Sequence, residues 1–429
     1  MIGVQDLTRS CCRSSCRRAS GAPRNKRGVS ASLRKAPSFS ALLVSGLPAN
    51  GAGSPLRFEK PRPALRGRQL NERTQWVNPG SRRFFRFCWW LTGVGAISLG
   101  SLLLSAQSPS RSLDSLLQQG GAALDAGDFT TAAGKFEEAR QLAPENKMVW
   151  RGLLLSYLRD KQTARAVAVG QEAVGRWPEE PLLRHWLGLA YFQSGQSELA
   201  IEQLQRAEEL APNEPDIPFD LALVYLSLRQ DMPAAEKLER AIQLRPGVAI
   251  AHVLLGRAYQ NTNRTLPAIE EFKTALRLAP ELPLGHYHLG FAYESVGNNA
   301  EAIVEYKKEV ARKTVNVEVS YRLGHALLET GQLGEAIPNL RQAISLRPDH
   351  PKAHYDLGKA LFLQGETAEA ITVLRQAITL NPNNADAYYQ LARALEKSGD
   401  RQEARKVFQQ FAEVKKRQEK KGGMAYQPD

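Results

Sequence analysis

A repeat with a period of 34 residues constrains the fold of this chain more than any other feature. An alanine returns at the same phase nine times, as Ala132, Ala166, Ala200, Ala234, Ala268, Ala302, Ala336, Ala370 and Ala404. Prolines keep the same interval at Pro144, Pro178, Pro212, Pro246, Pro280, Pro348 and Pro382, and Thr314 alone interrupts the series. Because both series keep one phase, we interpret 113–418 as a tandem array of nine units: 113–146, 147–180, 181–214, 215–248, 249–282, 283–316, 317–350, 351–384 and 385–418.

Each unit predicts two helices, and unit 8 illustrates the pattern. Apolar residues recur at helical spacing in 352–363 and again in 367–380. We expect Gly365 to end the first helix, because glycine enters the left-handed conformation of a C-terminal cap without steric cost. Pro382 follows the second helix, which a proline cannot continue. The sequence therefore predicts an all-α fold built from helix pairs.

Small residues mark the place where the two helices of a unit should meet. In unit 8 these residues are Gly358 and Ala370, and larger side chains there would push the helix axes apart. One helix pair cannot bury its apolar face alone, so each unit needs its neighbours. We therefore predict an α-solenoid with a continuous core and a curved, open inner surface.

The pattern resembles the tetratricopeptide repeat. Unit 3 carries it in Leu187, Gly188, Tyr191, Ala200, Leu204, Ala207 and Pro212. The resemblance covers 306 of 429 residues and implies a right-handed superhelix of about nine helix pairs. In that family the first helix of each unit lines the concave face, which usually binds a peptide or another protein. The resemblance thus implies a non-enzymatic scaffold that needs no cofactor.

Positions 5 and 9 of each unit are expected to point into the groove. The residues predicted to bind a partner are Phe219, Arg257, Tyr287, Phe291, Tyr321, His325, Tyr355, Lys359, Tyr389 and Arg393. Tyrosine offers a large contact area and a hydroxyl, and Lys359 with Arg393 suits an acidic residue or a C-terminal carboxylate. The alternative is packing alone, because the family's average repeat carries tyrosine at position 5. The basic clamp by which some relatives bind chaperone tails is missing, since Asp356 stands where it needs a basic or amide group.

Unit 6 departs from the pattern. Glu309 replaces a small alanine and Thr314 replaces the proline. A glutamate at a buried position needs a partner or an opening to water, and without the proline the second helix is free to run on. We predict a local bend or looser packing between units 6 and 7, with ordinary repeat drift as the alternative.

Residues that could carry chemistry form no catalytic or metal-binding pattern in the array. His252, His286 and His354 share one position in successive or distant units, which predicts packing between helices rather than metal ligation. All four cysteines precede residue 113, so the array has no disulfide and no thiolate. We predict no catalytic residue, no metal site and no cofactor.

The charge of the chain is concentrated before the repeats. Residues 1–112 carry a net charge of +16 and residues 113–429 carry −3, so the array is not expected to bind nucleic acid. Residues 1–80 are rich in Arg and Ser and poor in acids. They suit a disordered basic segment, an organellar transit peptide, or a stretch that precedes the true start near Val77.

An apolar segment at 84–106 separates the basic region from the repeats. Arg82, Arg83 and Arg86 precede a run without charge from 87 to 110, which is the order of a signal peptide or a signal anchor. Residues 81–85 also resemble a twin-arginine export signal, and a buried core helix is the alternative. We expect an exported, periplasmic or membrane-anchored protein with its repeats outside the cytoplasmic membrane; the alternative is an organelle reached through a transit segment.

Three functions fit this organisation. The first is an interaction scaffold that binds a protein or peptide in the groove, with membrane contact through 84–106 if that segment is not cleaved. The second is a structural subunit that associates with itself, and the third is an accessory subunit of an envelope or organellar enzyme complex. The tail at 419–429 is expected to extend the last helix as a polar cap.

Overall fold

The computed structural model describes residues 112–312 and 316–423, and these residues form eighteen α-helices and no strand. In chain order the helices are α1 (Leu113–Ala126), α2 (Phe129–Leu142), α3 (Lys147–Arg159), α4 (Thr163–Arg176), α5 (Pro181–Gln193), α6 (Ser197–Leu210), α7 (Asp216–Ser227), α8 (Asp231–Leu244), α9 (Ala249–Asn261), α10 (Thr265–Leu278), α11 (Gly285–Ser295), α12 (Asn299–Ala311), α13 (Val317–Glu329), α14 (Leu333–Leu346), α15 (Pro351–Gln364), α16 (Thr367–Leu380), α17 (Ala385–Ser398) and α18 (Arg401–Gly423). The predicted all-α solenoid is confirmed: odd-numbered helices are the first helices of the units, and even-numbered helices are the second.

The turn inside every unit contains one residue in the left-handed conformation. Six of these residues are the glycines Gly127, Gly195, Gly297, Gly331, Gly365 and Gly399, with φ between 75° and 102°. The other three units place Lys161, Arg229 and Asn263 there, with φ near 60°. The backbone geometry of the turn is therefore kept even where the glycine is lost, at a cost of about 1 kcal/mol for the lysine or the arginine.

The predicted close approach within each helix pair is present. A Cβ atom added to Gly358 would lie 2.6 Å from Leu374 Cγ, and Ala370 is fully buried. In unit 3, a Cβ atom on Gly188 would lie 2.7 Å from Leu204 Cγ and 3.2 Å from the carbonyl oxygen of Ala200. These distances leave no room for a side chain, so glycine sets the spacing of the pair.

A recurring hydrogen bond joins each of several units to the preceding one. The donor is the side chain at position 4, and the acceptor is the carbonyl of the repeating proline. The pairs are Trp150 with Pro144 (2.7 Å), Arg184 with Pro178 (2.6 Å), His252 with Pro246 (3.1 Å) and His354 with Pro348 (2.8 Å). The histidines at this position therefore link units through backbone oxygens, in addition to packing.

The array is curved with the first helices on its inner side. Neighbouring first helices contact each other directly, as α3 does with α5 and α15 does with α17. No comparable contact joins consecutive second helices in the part of the chain that the structure describes. Elements on the inside of a bend are closer together, so the first helices form the concave surface, which we call the inner face.

The apolar core consists of three clusters that adjoin within units 3 and 6. In unit 6, Leu289 and Ala292 pack with units 3–5, whereas Tyr287 and Tyr306 pack with units 7–9. The half-buried Tyr293 contacts both clusters. The core is therefore continuous through shared residues, as predicted, and its two seams run through α5 and α11.

Unit 6 adopts a start that the other units do not have. Leu284 is left-handed, with φ of 59°, and α11 begins at the third residue of the unit. The Leu284 N–H donates to Glu309 Oε1 across 3.2 Å, and Glu309 is fully buried. The partner that this glutamate needs is thus a backbone amide. Helix α12 ends at Ala311 rather than running on, and the bend between units 6 and 7 stays a prediction.

The last helix extends beyond the array, as predicted. Helix α18 has 23 residues, whereas the second helix of unit 8 has 14. No helix in the described ranges, 112–312 and 316–423, is long and apolar enough to cross a bilayer. The predictions for 1–80 and 84–106 lie outside the described residues.

Candidate functional site: the inner face

The ten predicted partner-binding residues differ widely in exposure. Phe219, Tyr287 and Tyr321 are at most 6% exposed. Arg257, Phe291, His325, Tyr355 and Lys359 are half-buried, and Tyr389 and Arg393 are exposed. A partner can therefore reach the C-terminal residues of the predicted stripe far more easily than the tyrosines of units 6 and 7.

The tyrosines at position 5 are covered by the residues that follow them in the array. Tyr287 stacks on Phe291, with ring centroids 6.4 Å apart, and the ring of Tyr321 lies 4.6 Å from that of His350, the residue directly before α15. In unit 9, Tyr389 contacts Phe408 and Phe411 of α18 instead. Position 5 is thus an interface between units, and its exposure rises towards the C-terminal end.

Basic and acidic side chains pair across the junctions of the inner face. We call these contacts the junction pairs: His185 Nε2 with Asp220 Oδ2 (2.7 Å), Arg322 Nη1 with Glu294 Oε1 (2.9 Å), His325 Nδ1 with Asp356 Oδ2 (2.9 Å) and Lys359 Nζ with Glu329 Oε1 (2.8 Å). Each pair joins first helices of consecutive units. The pairs therefore link neighbouring first helices along the inner face.

Burial and pairing shift the pKa values of these groups in different directions. Burial raises the pKa of Asp220, against the opposing hydrogen bond with His185. The hydrogen bond to Asp356 raises the pKa of His325, which favours its protonated form. Burial alone would lower the pKa of Arg322, but the carboxylates of Glu294 and Glu318 raise it above its usual value. Arg322 also lies over the Phe291 ring at 4.6 Å, so it is held on several sides.

Two arginines among the predicted residues have no carboxylate partner within the described ranges. Arg257 makes no ion pair or side-chain hydrogen bond there, and burial lowers its pKa. Arg393 lies over the rings of Phe362 and Tyr389, at 5.2 Å and 5.8 Å. These guanidinium groups are therefore available to a negatively charged partner, in contrast to Lys359, which Glu329 already engages.

A group of apolar and basic side chains, exposed except for the buried Phe362, lies at the C-terminal end of the inner face. We call Phe362, Leu363, Tyr389, Arg393 and Lys397 the end patch. Leu363 is 54% exposed and Tyr389 is 41% exposed. Lys397 lies 5.1 Å from the Phe362 ring and has no carboxylate partner among the described residues. The end patch combines accessible apolar area with two unpaired cations.

The junction pairs were missed by sequence reasoning, although a signal for them exists. The paired residues lie 28 to 35 residues apart, which is close to one repeat. A search for opposite charges separated by about one period would have found them. The end patch had a weaker signal, because exposure at position 5 depends on which unit is last.

Comparison with known families identifies the repeat. Matches described as tetratricopeptide repeat cover 117–181, 219–283, 321–385 and 361–418, and a match described as TPR repeat covers 188–228. The chain belongs to the tetratricopeptide repeat proteins. None of these matches describes a catalytic domain, and the fold is typically a non-enzymatic scaffold for protein–protein interaction.

Several solved structures resemble parts of the chain. The APC/C hetero-tetramer Cut9–Hcn1 is 19% identical over 68% of this chain and 57% of that chain, with a TM-score of 0.41. MamA is 30% identical over 39% of this chain and 97% of its own (TM-score 0.37). YrrB, described as a TPR protein with an unusual peptide-binding site, is 23% identical over 42% and 93% (TM-score 0.40). This chain thus spans little more than half of the APC/C chain. No curated protein matches it.

Proposed function

We propose that this protein is a scaffold that holds an extended segment of a partner protein on its inner face. The observation that supports this proposal is the end patch, where Leu363 and Tyr389 expose apolar area beside two cations without carboxylate partners. Aromatic and arginine side chains dominate the binding energy of many protein interfaces. The closed junction pairs supply a rigid frame for this surface, and a rigid surface loses little entropy on binding.

Substitutions in the end patch test the proposal. The triple variant Leu363→Ser, Arg393→Gln and Lys397→Gln removes exposed apolar area and both charges and leaves the buried core intact. Met232→Ser with Leu266→Ser is the matched control, because these side chains are 74% and 70% exposed and lie on second helices. Partners cross-linked to the full-length protein in its native cells are quantified for each variant.

The expected result is a selective loss. The yield of cross-linked partners that bind the inner face falls about tenfold or more with the triple variant and stays unchanged with the control, because a few contacts contribute most of the binding energy. An equal yield from both variants and the unaltered protein would count against the end patch. Unchanged circular dichroism of both variants establishes that folding is intact.

The location proposed for the repeats is outside the cytoplasmic membrane. The support is the order of three arginines, Arg82, Arg83 and Arg86, before the apolar segment 84–106. Alkaline phosphatase fused to the C-terminus is active only where its disulfides form. Activity of the fusion that disappears when 84–106 is deleted would support export, and activity independent of that segment would oppose it.

A further inference from the structure

Arg257 differs from the other cations in the middle of the inner face because its charge is not neutralised by a contact. It belongs to α9 and is half-buried. Asp231 attracts it electrostatically but accepts a hydrogen bond from Asn261 instead, at 2.9 Å. The ring of His288 on α11 is also near, and burial together with the Arg257 charge lowers the pKa of His288 to about 3. His288 is therefore neutral and leaves Arg257 as the positive group of this region.

A second donor without an acceptor lies on the same helix. The Nε2 atom of Gln260 is buried and has no hydrogen-bond partner among the described residues. Gln260 follows Arg257 by three residues, so both side chains emerge from one face of α9. A buried amide nitrogen without an acceptor destabilises the folded state, so this group gains from a hydrogen bond to a ligand. Rotation of the Gln260 side chain towards the groove would bring its nitrogen close to the guanidinium of Arg257, where both groups could donate to one bound acceptor.

We propose that Arg257 and Gln260 together bind the carboxylate of an Asp or Glu side chain in an extended segment of a partner protein. A guanidinium offers two parallel donors to a carboxylate, and the amide nitrogen supplies a third. The buried side chain of Tyr287 is near enough to interact electrostatically with Arg257, and its ring limits the access of water to the site, which strengthens the contact. This inference rests on the proposed function, because it assigns the chemistry of the segment that the inner face holds.

The position of Arg257 favours an internal acidic side chain over a chain terminus. Arg257 lies in unit 5, with four units on either side, so a bound segment can continue in both directions. Units are spaced by about 10 Å, which places the end patch about 40 Å from Arg257. An extended segment of about 12 residues covers that distance at about 3.3 Å per residue. One peptide can therefore contact Arg257 and the end patch together.

A peptide selection on the full-length protein tests this assignment. A phage-displayed library of random 15-residue peptides is selected, and the enriched peptides are synthesised with acetylated and amidated ends. Fluorescence anisotropy measures their affinity for the unaltered protein and for Arg257→Met, which keeps an aliphatic stem and removes the charge. Arg257→Lys keeps the positive charge but lacks the two parallel N–H donors of a guanidinium. Arg277→Gln is the matched control, because this exposed arginine lies on the second helix of the same unit.

The proposal predicts a coupled loss. Replacing one acidic residue of the peptide by its amide weakens binding about tenfold or more to the unaltered protein and hardly at all to Arg257→Met. Arg257→Lys is intermediate, and Arg277→Gln has no effect. If a peptide binds Arg257→Met and Arg277→Gln with equal affinity, the inference about Arg257 is overturned. The proposed function still holds in that case if end-patch substitutions weaken binding of the same peptide. Binding that requires a free terminal carboxylate would overturn the side-chain assignment, and a selection that enriches no peptide would overturn both proposals.

Discussion

The buried carboxylate of Glu309 accepts a hydrogen bond from the backbone N–H of Leu284, 3.2 Å away. Leu284 is the only left-handed residue of the described ranges that lies outside the turn within a unit. In the other units the residue at the Glu309 position is a small alanine or, in unit 9, Phe411. The two departures of unit 6 from the repeat, its glutamate and its late helix start, are therefore one structural event.

Replacing Glu309 by alanine should release the start of α11. The left-handed conformation costs a leucine about 1–2 kcal/mol, and Glu309 Oε2 has no hydrogen-bond partner among the described residues. Without the carboxylate, we expect residue 284 to become helical and α11 to begin one or two residues earlier. The free energy of unfolding should rise by about 1 kcal/mol. Backbone chemical shifts at 283–286 and denaturant unfolding measure the two effects.

Glu309→Gln is the control for this experiment, because glutamine keeps the volume and one acceptor oxygen. Leu284 should stay left-handed in that variant. If residue 284 also stays left-handed in Glu309→Ala, the conformation is held by another contact, such as the hydrogen bond that Arg312 donates to the carbonyl of Leu282 at 3.2 Å.

Two glycine-to-alanine substitutions within helices should have opposite effects on stability. Alanine at Gly188 places its Cβ atom 2.7 Å from Leu204 Cγ, so the helix pair of unit 3 must open. We expect Gly188→Ala to destabilise the array by about 1–3 kcal/mol. Gly134 lies inside α2 with no atom within 4 Å of its added Cβ, and Gly134→Ala should stabilise the array by about 0.5–1 kcal/mol through helix propensity.

Thermal melts followed by circular dichroism compare the two variants with the unaltered protein. Because a repeat array need not unfold in one step, the midpoint of the melt is the quantity to compare. A loss from Gly134→Ala similar to that from Gly188→Ala would contradict the proposed role of close packing.

The fold was predictable because it depends on features that repeat. Period, alanines and prolines fix the number of helices and their pairing, and each is read directly from the sequence. The left-handed residues Lys161 and Arg229 were not predictable in this way, because their side chains carry no sign of the turn they adopt. Their conformation is imposed by the helix pair on either side.

The candidate site was predictable in position and less so in accessibility. Position 5 lies on the inner face, but its exposure depends on whether a further unit covers it. Tyr287 is 4% exposed and Tyr389 is 41% exposed, although both are tyrosines at the same position. Arg257 is likewise available because Asp231 accepts a hydrogen bond from Asn261 rather than from Arg257. That contact joins two units, and no local sequence pattern specifies it.

The neutral imidazole of His288 should make the array sensitive to acid. Its ring stacks on Phe272, with centroids 5.6 Å apart, and burial with the nearby Arg257 charge lowers its pKa from 6.5 to about 3. Between these values the unfolded chain binds a proton that the folded chain does not. The stabilisation is therefore complete above pH 6.5 and is lost as the pH falls towards 3, by up to about 1.4 kcal/mol per pH unit.

His288→Phe keeps an aromatic ring against Phe272 and removes the titratable group. Between pH 7.5 and pH 5.5, the unfolding free energy of this variant should therefore fall by about 1 kcal/mol less than that of the unaltered protein. His252→Gln is a control of opposite sign. The hydrogen bond with Glu271 raises the pKa of His252, so its stabilisation is present below pH 6.5 and is lost as the pH rises through the raised pKa. That variant should therefore lose more stability on acidification than the unaltered protein does. Parallel pH curves for His288→Phe and the unaltered protein would show that folding does not lower the pKa of His288, and would contradict the prediction.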